Sequence, residues 1–312
     1  MSRCSLYNLD VPDETVELDV KDAHFTDVLR SCYRQWCSAL YKKDTTDKPS
    51  YECGRRIIRP FRKKFSGTLV VDKRTLPSAK GEPWEYNDNG LCAGYFFSAV
   101  LNETDLRRLF VDVNSGKDRE RDYRLGYLGY GYRIAEGKIL EVLQGENMRI
   151  GEHAEGGIVV NRGKARSMGK NCEDGLFINH GKLKDMGFMA KGGVHVNLHE
   201  IAGLSLAGSS NMGFGWGAKN GVFLNFGEID SVGNIGDGVF VTQTKVDNLS
   251  RYVASGAWAL SPDVLKLDAD LAELMESVKA AAEQDKYDDV KKYARLVDGH
   301  VRENFRPKKS YR

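Results

Sequence analysis

Long apolar runs are missing from this chain of 312 residues: no stretch of 18 or more apolar residues occurs, which excludes a membrane-spanning helix bundle. The first ten residues hold no apolar segment of the kind a secretory leader needs, so the expected location is the cytoplasm. Charge of one sign is not in excess, with 46 Lys+Arg against 44 Asp+Glu, so bulk electrostatics name neither a nucleic acid nor a membrane as partner. Cysteine is sparse for the size, at 6, and a chain this long needs no disulfide staples. No G-x-x-x-x-G-K-[ST] loop, no G-x-S-x-G elbow and no His-Glu-x-x-His motif occurs, so the common phosphate-binding, hydrolase and metalloprotease signatures are absent.

Glycine is what the chain has in quantity, 33 residues, and it is patterned. It recurs at every sixth position from Gly145 through Gly151, Gly157, Gly163, Gly169, Gly175, Gly181 and Gly187 to Gly193. Such a run implies one steric demand met repeatedly, either positive φ or a corner too tight for a Cβ. Three hexads form a stronger unit of 18. Gly157-Ile-Val-Val-Asn161, Gly175-Leu-Phe-Ile-Asn179, Gly193-Val-His-Val-Asn197 and Gly221-Val-Phe-Leu-Asn225 each read as glycine, three strand formers and asparagine. Apolar residues recur later in the unit at Ala165, Leu183, Ile201 and Ile229, and again at Met168, Met186, Leu204 and Val232. A corner glycine follows at Gly169, Gly187 and Gly233, with Ser205 as the exception. A partial unit starts at Gly238 and a degenerate one spans Ile139 to Gly156.

Three short strands per 18 residues, each ended by a glycine corner, predict a triangular parallel β-solenoid of about six coils, rising about 25 to 30 Å at about 4.8 Å per coil. Asn161, Asn179, Asn197 and Asn225 would then lie above one another as an amide ladder.

The repeat breaks once, between Gly193 and Gly221, where about ten residues within Gly203 to Gly217 must leave the coil. That segment holds Met212, Phe214 and Trp216, which form a lid over the coil edge or, on the alternative reading, a partner-binding set.

Flanking segments change period. Phe25, Leu29, Cys32, Trp36 and Leu40 predict a helix from about Lys21 to Lys42, followed by a turn-rich stretch from Asp44 to Gly54. Strands are expected at Thr68 to Asp72 and Ala93 to Leu101, then a helix capped by Asn102 with Asp105 in its first turn. Residues 1–125 thus read as an α+β domain, 126–250 as the solenoid and 251–312 as a helical hairpin with a basic tail. In the hairpin, Ser261-Pro262 opens a helix with Leu267, Leu271, Leu274, Met275 and Val278 on its apolar face, and Lys286 to Asn304 forms the second helix.

Candidate chemistry is thin. Cys32 and Cys37, with Cys4 and Cys53, have the residue type for zinc, but Cys32 lies on the apolar face of a predicted helix, which favours buried thiols. His195 and His199 are four apart on a strand, too distant to share a metal, and His199 takes a corner position where His tolerates left-handed backbone. The run Arg55, Arg56, Arg59, Arg62, Lys63 and Lys64, with Phe61 among them, is the candidate phosphate-tracking segment. No cofactor and no metal site is expected.

The pattern Gly157-Ile-Val-Val-x-x-Gly163-x-Ala165-x-x-x-Gly169, followed by Glu173-Asp174-Gly175, resembles the glycine-patterned right-handed β-helix called the GXGXG domain. That domain is known from the C-terminal part of glutamate synthase large subunits and from one of the subunits of formylmethanofuran dehydrogenase. The resemblance covers about Gly126 to Val246, including the lead-in Gly126-Tyr-Leu-Gly-Tyr-Gly131. The chain departs from the family at Arg166, Lys184, Ala202 and Asp230, where the family usually has glycine. The resemblance implies a right-handed coil that spaces and supports other domains without catalytic residues of its own. The expected function is therefore a non-catalytic scaffold or protein-interaction module, bound to a protein partner or to itself. The alternatives are a divergent hexapeptide-type acyltransferase, disfavoured because few of the nine glycines follow an aliphatic residue, and a nucleic-acid binder using residues 55–64.

Overall fold

The computed structural model describes residues 23–40, 47–72, 93–112, 129–144, 149–202, 213–230, 232–233, 235–246 and 258–307. Three helices and two strands come first: α1 (Ala23–Leu40), α2 (Asp47–Ile58), β1 (Ser66–Asp72), α3 (Ala93–Glu103) and β2 (Asp105–Asp112). In α1 the period of Leu29, Cys32, Trp36 and Leu40 is the buried stripe, as expected. Three expectations are corrected. Within the stretch expected to be turns, Asp44 to Gly54, residues 47–54 are helical, and 44–46 lie outside the described residues. Ala93 to Leu101 is helix, not strand: every residue from Ala93 to Leu101 is buried, so the segment has no polar face and no period to read. Asn102 lies inside α3 and caps no new helix; Asp105 to Asp112 form strand β2 instead.

The glycine-patterned stretch follows with β3 (Ile139–Gln144), β4 (Arg149–Ile150), β5 (Glu155–Asn161), β6 (Ser167–Met168), β7 (Asp174–Asn179), β8 (Lys182–Leu183), β9 (Asp185–Met186), β10 (Val194–Asn197), β11 (Glu200–Ile201), β12 (Val222–Asn225), β13 (Glu228–Ile229), β14 (Val239–Thr242) and β15 (Trp258–Leu260). They form three parallel sheets: a nine-stranded sheet β1-β2-β3-β5-β7-β10-β12-β14-β15, and two three-stranded sheets, β13-β11-β8 and β4-β6-β9. Register follows the repeat. Asn161 pairs with Asn179, Asn179 with Asn197, Asn197 with Asn225 and Asn225 with Thr242. The first two strands belong to the same sheet as the repeat, since β2 pairs with β3.

Both steric causes of the glycine run are present. Gly169, Gly187 and Gly215 turn at φ near +70, whereas Gly181 has ordinary φ but would place a Cβ 1.9 Å from the Gly163 carbonyl oxygen. His199, by contrast, does not adopt left-handed backbone; among the described residues of 126–250 the non-glycine residues that do are Arg133, His153, Asn171 and Met189.

The large sheet is buried on both faces, which is why its strands read as unbroken apolar runs. Val159, Phe177, Phe223 and Phe240 face the core enclosed by the three sheets. Val160, Ile178, Val196, Leu224 and Val241 face the C-terminal helices α4 (Pro262–Leu265), α5 (Ala269–Glu283) and α6 (Tyr287–Asn304). The hairpin of α5 and α6 lays Leu271, Met275, Val278, Val290, Val297 and Val301 on that face. Leu267 departs from expectation and is 89% exposed, because the helix breaks after α4 and restarts at Asp268, whose carboxylate accepts from the Leu271 amide at 2.9 Å. Among the described residues helix accounts for 38% and strand for 30%, so the whole is a mixed fold and "mainly β" fits only its middle. No described helix is long and apolar enough to cross a membrane.

Candidate functional site

Inside the repeat, one residue per unit builds a column: Val159, Phe177, His195, Phe223 and Phe240 occupy equivalent positions of adjacent strands. The His195 ring lies between Phe177 at 4.7 Å and Phe223 at 4.6 Å, within 6° of parallel to both. Its Nε2 is 3.3 Å from the Gly192 carbonyl and 3.8 Å from Cys172 Sγ, and Nδ1 has no hydrogen-bond partner among the described residues. Burial pushes the imidazole down to about 4 against the opposing pull of the Gly192 carbonyl. Burial likewise raises the Cys172 thiol. Both groups are therefore neutral at pH 7, and the pair is a poor nucleophile and base.

Alongside runs the amide ladder. Asn161, Asn179 and Asn197 each donate from Nδ2 to the next asparagine's Oδ1, at 2.7, 2.8 and 2.7 Å. Asn225 closes the series on Thr242 and Thr244.

The predicted aromatic loop is corrected. Met212 lies outside the described residues, as does all of 203–212, which is the ten-residue excess of the repeat. Phe214 is fully buried and bridges Met186 on one side and Val232 on the other, so it is a rung of the stack and not the exposed loop residue expected. Gly215, at φ +73, takes the corner that Ser205 was expected to hold, and its N–H donates to the Met186 carbonyl. Phe214 and Gly215 thus replace Leu204 and Ser205 in the alignment. Trp216 is half-buried and stacks on Phe188 at 5.1 Å.

The basic run divides. Arg55 is held by Glu103 and Glu52, and its hydrogen bond to Glu103 is the first cause of a raised guanidinium. Arg59 lies 3.5 Å from Glu103, and Lys64 covers the Phe61 ring. Arg56, Arg62 and Lys63 make no ion pair among the described residues. Arg59, Arg62 and Lys63 line one wall of a cleft of 590 Å³ whose other wall is residues 102–105. Three of the six predicted cations therefore converge, but Glu103 and Asp105 face them.

The cysteines Cys32, Cys37 and Cys53 are buried, and Cys4 lies outside the described residues. No group of three or more metal-ligating side chains occurs among the described residues.

One polar cluster escaped the sequence. Glu141 on β3 is almost fully buried and takes Arg108 at 3.0 Å and Arg162 at 3.1 Å; Arg162 also reaches Asp285 at 2.6 Å. Tyr287 donates to Glu141 at 3.4 Å. His180 sits 3.9 Å from Asp285 and is pushed down to about 4, by burial first and Arg162 second, with Asp285 opposing. For Arg162, burial works against the charge, but Asp285 and Glu141 outweigh it and hold the guanidinium ionised. Asp285, at φ 56, sits in the α5–α6 turn, so the cluster pins the hairpin to the sheet. Its bonded pairs reach across as many as 146 residues, from Glu141 to Tyr287, and no local pattern could reveal it.

Comparison of the chain with known protein families, with curated proteins and with solved structures found no match.

Proposed function

We propose that residues 126–250 form a right-handed β-solenoid of the GXGXG type and that the chain works in the cytoplasm as a non-catalytic scaffold or protein-interaction module. The observation that carries this reading is the use made of interior polar groups. The asparagine amides are engaged in a continuous ladder, and His195 and Cys172 are sealed and neutral, so the repeat spends its chemistry on holding coils together. Outer surfaces are then what the fold offers. Purification of the tagged chain from its native cell, with mass spectrometry of what co-elutes, tests the reading. A protein partner in fixed ratio, or a defined self-assembly, is expected; a chain that elutes as a lone monomer overturns it.

The second reading, nucleic-acid binding, is favoured by the convergence of Arg59, Arg62 and Lys63 on one cleft. It requires salt-dependent binding of RNA or DNA that is lost in the Arg62→Ala, Lys63→Ala double variant.

A further inference from the structure

We propose that the outer face of the sheet β8-β11-β13 is a self-association surface on which two copies of this chain dock antiparallel about a two-fold axis. The inference names a partner for the scaffold reading and rests on it.

Two rows of side chains run up this face. Backbone bridges place Lys164 beside Lys182, Lys182 beside Glu200 and Glu200 beside Glu228. The second row is Arg166, Lys184, Ala202 and Asp230, carried by bonds from the Lys184 amide to the Arg166 carbonyl, from Ala202 to Leu183 and from Asp230 to Ile201. Between the rows, Leu183 and Ile201 are buried in the core, which leaves the rows facing out. Lys164, Lys182, Lys184, Ala202, Glu228 and Asp230 are exposed, and Arg166 and Glu200 are half-buried.

Charge on this face is sorted by rung. Cations fill the first two, Lys164 with Arg166 and Lys182 with Lys184; anions fill the last two, Glu200 and then Glu228 with Asp230. Lys182 and Glu200 pair across the middle. Lys164, Arg166, Lys184, Glu228 and Asp230 make no ion pair among the described residues. A merely solvated face gains nothing from such sorting, because like charges on neighbouring strands repel.

A second copy resolves the conflict. Rungs on both copies share the same spacing of about 4.8 Å, so an antiparallel arrangement sets rung one against rung four and rung two against rung three, which brings a cationic rung onto an anionic one each time, with Lys184 opposite the uncharged Ala202. A parallel arrangement sets like on like. Two-fold docking closes at two copies, because each face is used up by its partner. Four rungs span only about 14 Å at that spacing, well below a standard interface, so the dimer is weak and dissociates with salt.

Sedimentation velocity of the full chain, at low and high salt, tests this with two charge-reversed variants. Lys164→Glu with Lys184→Glu makes the face net acidic, with Arg166 and Lys182 its remaining cations; Glu228→Lys with Asp230→Lys makes it net basic, with Glu200 its one remaining anion. All four sites are exposed, and circular dichroism checks that both variants fold. The wild type is expected to dimerise at low salt and to dissociate at high salt, each variant alone to stay monomeric, and their equimolar mixture to recover a one-to-one dimer. A monomeric wild type at about 100 μM and low salt, where screening is weakest, overturns the proposal. So do variants that self-associate like wild type, or a mixture that stays monomeric. A monomeric wild type that still co-purifies with another protein in fixed ratio overturns self-association and leaves the scaffold reading standing; one that binds nothing overturns both.

Discussion

Asn179 donates to Asn197 Oδ1 at 2.8 Å and accepts from Asn161 at 2.7 Å, across rungs 18 residues apart in sequence. It is a middle rung, whereas Asn161 is an end rung whose own Oδ1 has no partner. Asn179→Ala strands a donor below and an acceptor above, and is expected to cost about 3 kcal/mol. Asn161→Ala takes its donor from the Gly163 carbonyl and from Asn179 Oδ1, which keeps the Gly181 amide, and is expected to cost less. Urea unfolding of the two variants checks the order; equal midpoints would remove the ladder as a source of stability.

Gly181→Ala is expected to destabilise severely, because the added Cβ meets the Gly163 carbonyl 1.9 Å away and backbone cannot move aside without opening the coil. Gly137→Asn is the control: its φ is +76 but no atom lies within 4 Å of the added Cβ, and Asn tolerates left-handed backbone. Thermal melts should separate the two widely.

Met189→Gly is expected to stabilise by about 1 kcal/mol, since Met189 holds φ 52 with its side chain half exposed, and Gly217 already fills the matching corner one coil on. A lower melting temperature would mean that packing by the Met189 side chain outweighs the backbone strain.

Acid should weaken the fold. His180 and His195 lie near 4 when folded, below the ordinary 6.5, so the unfolded chain binds protons first and each histidine removes up to about 1.4 kcal/mol per pH unit as pH falls from 6.5 toward 4. Asp185 runs the other way. Burial raises its carboxyl from 3.8 to about 6, so its contribution is complete below 3.8 and is lost as pH rises through 6. Two histidines outweigh one aspartate between pH 6 and 4. Denaturant midpoints should therefore fall across that window, and more steeply in Asp185→Asn; a rise on acidification would contradict the sealed histidines.

The repeat is legible because strand stacking imposes one demand at a fixed spacing, and Gly175, Asn179 and Leu183 each restate it 18 residues later. Handedness and partner leave no such mark. The α3 segment misleads because burial on all sides erases the period. Phe214 reads as a loop residue because spacing sets only the size of the insertion, not where the coil resumes; Gly215, as a corner glycine, is the signal that could have located it. The cluster of Glu141, Arg162 and Asp285 is a product of the hairpin folding back, which no local window contains.

In the proposed scaffold the interior residues are rungs and not reagents, and His195→Phe tests this most directly. Phenylalanine would continue the column between Phe177 and Phe223 and delete the unpartnered Nδ1. The variant is expected to melt at or above the wild-type temperature and to retain the same co-eluting partners from its native cell. A variant that folds and melts like wild type yet loses those partners or its cellular role would show that the imidazole does more than fill a rung, and would contradict the account.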